Sequence, residues 1–211
     1  MRFKEFISKQ QIPIEILNFT QNKKVRAINK AHRSGDLVYN INNEYILKIS
    51  SSFDRLDRER KANDLLTSYL PVSKSILFIT DNNYTYYLKT RLKGVPLTEK
   101  LKDPHRLIKL LTEAINLFHS VDVANLCKHL PINGNTLIHG DFCLPNILVH
   151  NHKISGFIDV EAVAIDDPWI DYAWCIWSLE YNLGTNQYTP FLLKALNITF
   201  NQEKYDKYTK M

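Results

Sequence analysis

Between Lys24 and Thr90 the apolar positions recur largely with the two-residue period of half-buried strands. Val25 to Ile28 is the first candidate. Leu37-Val38-Tyr39-Asn40-Ile41 and Tyr45-Ile46-Leu47-Lys48-Ile49 follow, separated by Asn42-Asn43-Glu44, which predicts a hairpin. Ser75 to Thr80 and Tyr84 to Thr90 repeat the arrangement around Asp81-Asn82-Asn83. Between the pairs, Asp54 to Tyr69 has helical spacing: Leu56, Leu65, Leu66 and Tyr69 can share a face, and Pro71 stops the run. Lys93-Gly94-Val95-Pro96 breaks the pattern, and beyond it the period changes. Leu107, Leu110, Leu111, Ala114, Ile115 and Phe118 predict a helix over Pro104 to Val121. Short strands are expected at Asn146 to His150 and Lys153 to Ile158, then three helical stretches. A β-rich first half and a helix-rich second half predict an α+β chain of two lobes, 1–91 and 92–211. A crevice between lobes is a favoured ligand site.

Composition narrows the class. The chain has 211 residues, 45% hydrophobic and 23% charged, enough to bury a core without covalent staples. Disorder and a small disulfide scaffold are excluded. No apolar run reaches the ~20 residues of a membrane span, and Glu5, Lys9 and Gln10 interrupt what would be a leader's apolar region. Cys127, Cys143 and Cys175 are odd in number and widely spaced, so a reduced, cytoplasmic setting is expected. The net charge of +5 favours an anionic partner such as nucleic acid, lipid head groups or a phosphorylated cofactor. However, Arg55, Arg58, Arg60 and Lys61 alternate with Asp54, Asp57 and Glu59, as on a solvated helix face. Neither nucleic acid nor membrane is expected as a partner; the oligomeric state is open.

The informative stretch runs from Leu137 to Tyr172. Leu137-Ile138 leads into His139-Gly140-Asp141, Asn146 begins the next strand, and Gly156-Phe157-Ile158 delivers Asp159 at a strand end. Asp167 and Asp171 follow near a helix start. An Asp just beyond an apolar strand needs a ligand, a metal or a cap to satisfy it. Asn and Asp supply the hard oxygens that suit Mg²⁺ bound together with phosphates, and a further carboxylate can orient an attacking hydroxyl. His150 and His152 read as exposed turn residues, and Trp169, Trp174 and Trp177 as core. Cys143 has no obvious base and is not read as a nucleophile.

His139-Gly140-Asp141 with Asn146, then Gly156-Phe157-Ile158-Asp159, Asp167-Pro168-Trp169 and Asp171-Tyr172-Ala173, resembles the aminoglycoside phosphotransferase family. Cys143-Leu144-Pro145-Asn146 and Phe118-His119-Ser120-Val121-Asp122 are similar to its kanamycin-type branch. The resemblance covers nearly the whole chain and is weaker before residue 36. It implies a two-lobed protein-kinase-like fold, with a β-rich N-terminal nucleotide lobe and a helical catalytic and acceptor lobe. It implies Asp141 as catalytic base or hydroxyl-orienting residue, Asn146 and Asp159 as Mg²⁺ ligands, and His139 and Asp171 as braces of the catalytic loop. Lys48 matches the lysine on the α- and β-phosphates, and Glu59 the residue that positions it. Ser34, within His32-Arg33-Ser34-Gly35-Asp36, falls in the nucleotide-positioning loop. Arg91 and Leu92 fall in Thr90 to Gly94, where lobes hinge and backbone contacts adenine. Taken alone, Lys48 is an edge-strand lysine, Glu59 a surface i,i+4 partner and Ser34-Gly35 a turn.

The implied activity is transfer of the γ-phosphate of ATP, or GTP, to a hydroxyl of a small molecule, with an aminoglycoside antibiotic as the default acceptor. Two features depart from that branch. Only Val121 to Leu137 fills the place of a helical insertion that forms an acidic wall, and Asp122 is its sole carboxylate. The chain also ends in a basic Tyr208-Thr209-Lys210-Met211. Glu161-Ala162 stands where relatives often carry Gly-Arg, so Glu161 either extends the acidic site or disturbs the metal geometry. A nucleotide-binding relative that acts on another hydroxylated compound, or is catalytically silent, is the alternative. A metal-dependent hydrolase using His139, Asp141, Asp159 and Asp167 is a third reading.

Overall fold

A computed structural model describes residues 12–28 and 36–210; Ser34 and the loop around it lie outside them. The described residues divide into two compact units: those up to Asp64 with Ser73–Leu92, and Leu65–Val72 with Lys93 onward.

The first unit is built on one antiparallel sheet. Its strands are β1 (Val25–Ala27), β2 (Leu37–Ile41), β3 (Tyr45–Ser50), β4 (Ser75–Thr80) and β5 (Thr85–Thr90), in the order β1-β2-β3-β5-β4. Positive φ at both Asn42 and Asn43 turns β2 into β3, with Glu44 N–H donating to the Ile41 carbonyl. Alternation sorts the side chains by face. Tyr39, Ile41, Leu47, Ile49, Tyr86 and Leu88 form the core together with Ile16 of α1 (Ile14–Thr20). Lys48, Tyr87 and Lys89 share the opposite face, towards α2 (Phe53–Leu66).

The buried stripe of α2 is Leu56, Glu59, Asn63 and Leu66, at the i, i+3, i+7 and i+10 positions of one face. Glu59 is therefore not part of a solvated surface, although Asp57, Arg60, Lys61 and Asp64 around it do pair on the outside. The helix ends at Leu66, so Tyr69 lies past it and is exposed, contrary to the expected face.

The second unit holds a three-stranded sheet of β6 (Val95–Pro96), β8 (Ile147–His150) and β9 (Lys153–Phe157) in the order β6-β8-β9. A two-stranded ladder joins β7 (Thr136–Ile138) to β10 (Ala164–Asp166). Asn151 and His152, both at positive φ and both exposed, make the two-residue turn between β8 and β9. Helix α3 (Pro104–His119) starts at Asp103, whose carboxylate accepts the Arg106 N–H, and buries the apolar stripe read from its spacing. Phe118 at its end meets Phe142, Phe157 and the His139 ring. Helices α4 (Trp169–Leu183), α5 (Thr189–Leu196) and α6 (Gln202–Thr209) complete the unit. The three tryptophans are not core residues: all are half-buried, and Trp177 stacks on exposed Tyr181.

Of the seven non-glycine residues with positive φ among the described residues, five are asparagines: Asn22, Asn42, Asn43, Asn151 and Asn197. Asp159 is another, at φ 60°.

Candidate active site

In the first unit, strand register and helix phase bring Lys48 and Glu59 together. The Lys48 ammonium donates to both Glu59 oxygens, at 2.8 and 2.9 Å. The Glu59 side chain is 0% exposed. Lys89, which the sequence pattern does not flag, also donates to Glu59 Oε1. Nearby, Asn63 Nδ2 donates to the Tyr87 hydroxyl, which also bonds Ser75. Burial pushes that phenol up to about 12, against the pull of the Ser75 and Asn63 bonds, with the Glu59 charge adding to the rise. Arg91 lies just past the end of β5 with its N–H donated to the Glu44 carbonyl, and half-buried Leu92 follows. Asp36 pairs with Arg55 of α2.

In the second unit, the loop after β7 is held by a single carboxylate. Asp171, fully buried in the first turn of α4, accepts the His139 N–H at Oδ2 and the Gly140 N–H at Oδ1, both at 2.9 Å. His119 Nε2, at the end of α3, lies 2.9 Å from the same Oδ2. Gly140 is at φ 82°, and a Cβ there would sit 2.5 Å from the Ala162 carbonyl oxygen. Only glycine lets the loop pass so close.

The loop turns so that Asn146 reaches back to Asp141. Its Nδ2 donates to the Asp141 carbonyl at 3.0 Å and to Oδ2 at 2.9 Å. With its amide nitrogen so used, Asn146 has Oδ1 to offer a cation. His139 links this loop to Asp159: its Nδ1 accepts the Asp141 N–H, and Nε2 faces the Ile158 carbonyl at 3.0 Å. Nδ1 is an acceptor, so Nε2 carries the proton and donates. Ile158 N–H in turn donates to the Asn146 carbonyl. Asp141, Asn146, His139, Asp171 and the backbone of Ile158, next to Asp159, thus form one hydrogen-bonded group.

The donor set fits a hard divalent cation. Asn146 and Asp159 offer oxygen, and a Glu161 carboxylate oxygen lies within 4.8 Å of one from Asp159, so Glu161 adds to the acidic character there. Asp159 occupies left-handed backbone that costs a non-glycine residue energy and is concentrated at functional sites.

The hydrolase reading does not survive this geometry. Both His139 ring nitrogens are committed inside the loop. Asp167 accepts from Lys204, Tyr208 and the Trp169 N–H, anchoring α6 to the start of α4. Its own burial opposes ionisation, but those three donors hold its carboxyl below the usual range. Burial, and then the adjacent Asp141 charge, push the Cys143 thiol far up, so it is no nucleophile.

Residues 125–208 match the pattern of the Phosphotransferase enzyme family. A probable aminoglycoside 3'-phosphotransferase of Lactococcus lactis is 27% identical, the match covering 86% of each chain. An aminoglycoside 3'-phosphotransferase of Enterococcus faecalis is 25% identical over 72% of this chain and 76% of its own. The chain is similar to aminoglycoside 3'-phosphotransferases over most of its length. Its fold agrees. An aminoglycoside phosphotransferase from Streptomyces rimosus superposes with a TM-score of 0.71 at 14% identity, over 99% of this chain and 97% of that one. An aminoglycoside phosphotransferase solved with GDP and kanamycin gives 0.67 at 15% identity, over 88% and 81%. The α+β kinase-like architecture is thus that of the aminoglycoside phosphotransferases.

Proposed function

We propose that this chain transfers the γ-phosphate of ATP or GTP to a hydroxyl of a small molecule, an aminoglycoside antibiotic by preference. The observation that carries this reading is the Asp141 carboxylate, held at Oδ2 by Asn146 on a loop fixed by Asp171 and His139. So held, the carboxylate accepts the acceptor hydroxyl's proton and aims its oxygen. Lys48, set by Glu59, receives the α- and β-phosphates, and Arg91 and Leu92 present backbone to the base. In this reading residues 1–91 serve the nucleotide and 92–211 serve catalysis and the acceptor. Asn146 Oδ1 and the Asp159 carboxylate would hold Mg²⁺, which when bound neutralises charge on the transferring phosphoryl group. Transfer is direct, without a covalent enzyme intermediate. No helix among the described residues is long and apolar enough to cross a membrane, and we place the reaction in the cytoplasm.

One observation favours another hydroxylated acceptor. Asp122, the sole carboxylate of the Val121 to Leu137 segment, spends an oxygen on the Ala124 N–H of its own turn. The deciding experiment is nucleotide turnover with Mg²⁺ over aminoglycosides and smaller amino-alcohols, beside Asp141→Asn. Acceptor-dependent ADP or GDP release, lowered about 10²- to 10⁴-fold in the variant with nucleotide binding kept, is expected. Equal turnover by the variant removes Asp141 from its role.

A further inference from the structure

Glu59 serves two lysines. In the β3–β5 ladder Lys48 stands opposite Tyr87 and Ile46 opposite Lys89, so Lys48 and Lys89 are diagonal neighbours on one face. Both side chains are nearly enclosed, 9% and 4% exposed, and both ammonium groups donate to the one carboxylate. Lys89 also sits two residues before Arg91, on the strand that leads to the segment assigned to the nucleobase.

A buried carboxylate left without a cation is costly, so its partner is held tightly. A phosphate-binding lysine that alone neutralises such a carboxylate must divide its charge between two anions. A second cation on the same carboxylate relieves that conflict. We propose that Lys89 is a positioning residue of the nucleotide site: it shares the Glu59 charge, so that the Lys48 ammonium is available to phosphate. This rests on the nucleotide reading of Lys48 given above. It makes Lys89 a determinant of nucleotide affinity that need not touch the nucleotide.

Two measurements test it, with Lys89→Met chosen to preserve chain length and packing. Mg-nucleotide affinity, by calorimetry, falls about tenfold in Lys89→Met and returns in Lys89→Arg, while the KM for the acceptor is unchanged. A loss of packing alone would not be rescued by arginine, and Lys89→Met binding like the unaltered chain overturns the proposal. The second measurement needs no nucleotide. Lys48→Met and Lys89→Met each leave Glu59 one cation, whereas the double variant leaves it neither. The double variant's drop in unfolding midpoint therefore exceeds the sum of the single drops; additive drops overturn the sharing. If the unaltered chain binds no Mg-nucleotide, the nucleotide reading falls and Lys89's role in affinity falls with it. The unfolding cycle then still decides separately whether the two lysines share Glu59.

Discussion

His139 Nε2 lies 3.0 Å from the Ile158 carbonyl oxygen, joining the loop that carries Asp141 to the peptide that precedes Asp159. The opposite ring nitrogen accepts the Asp141 N–H, so one imidazole sets the spacing of two acidic residues. Nitrogen chemical shifts of the ring will show the proton on Nε2. His139→Leu keeps the apolar bulk against Phe118 and Phe142 but loses both bonds. It should cost about 1–3 kcal/mol in urea unfolding and lower kcat more than it raises the nucleotide KM.

Asp171 is the acceptor for two backbone N–H groups and faces the His119 ring as well. In Asp171→Asn one oxygen becomes an NH₂ group and faces a donor. The expected loss is about 3–5 kcal/mol in chemical denaturation, well above the ~1 kcal/mol of an average substitution. A loss near that average would show the loop to be held by its own packing.

Gly140→Ala places a methyl group against the Ala162 carbonyl at a φ that disfavours any side chain. Stability should fall by about 1–3 kcal/mol, and activity should fall further, because the shift is transmitted to Asp141 next in sequence. Circular dichroism melts and turnover measured on the same preparation separate the two effects.

Asp167 gives a pH signature. Its folded carboxyl is held below its unfolded value of 3.8 by Lys204, Trp169 N–H and Tyr208, against the burial that opposes ionisation. The unfolded chain therefore takes up the proton first as pH falls. The stabilisation is whole above that unfolded value and is lost as pH drops through the lower folded one. Asp167→Asn should be less stable than the unaltered chain at pH 7, with the gap closing below about pH 4. A gap that is constant with pH would mean that the carboxylate's charge is irrelevant there.

The sequence exposes the elements whose periods are long enough to read. The β2–β3 and β4–β5 pairs and the α3 stripe lie within one or two residues of their expected limits. Strands of two or three residues, such as β6, β7 and β10, offer no period at all. The Asp141 loop was legible because polar residues there interrupt apolar runs at spacings that packing alone does not explain. Glu59 and Lys89 were harder for opposite reasons. Glu59 is camouflaged among the paired charges on the outside of α2. Lys89 looks like an ordinary strand lysine until the register with β3 sets it beside Lys48. His119 and Asp171 are 52 residues apart, and only the packing of α3 against the loop brings them to 2.9 Å.

The asparagines at left-handed turns also explain how the chain manages with six glycines. Asparagine tolerates that backbone better than most side-chain-bearing residues and leaves the unfolded chain less freedom than glycine would. The exchange has a chemical side. Asn22, Asn42, Asn43, Asn151 and Asn197 are all exposed, and asparagine is among the thermolabile residues. Loss of a side-chain amide at any of them on prolonged heating would add a negative charge at a turn and leave the ladder hydrogen bonds of the sheets untouched.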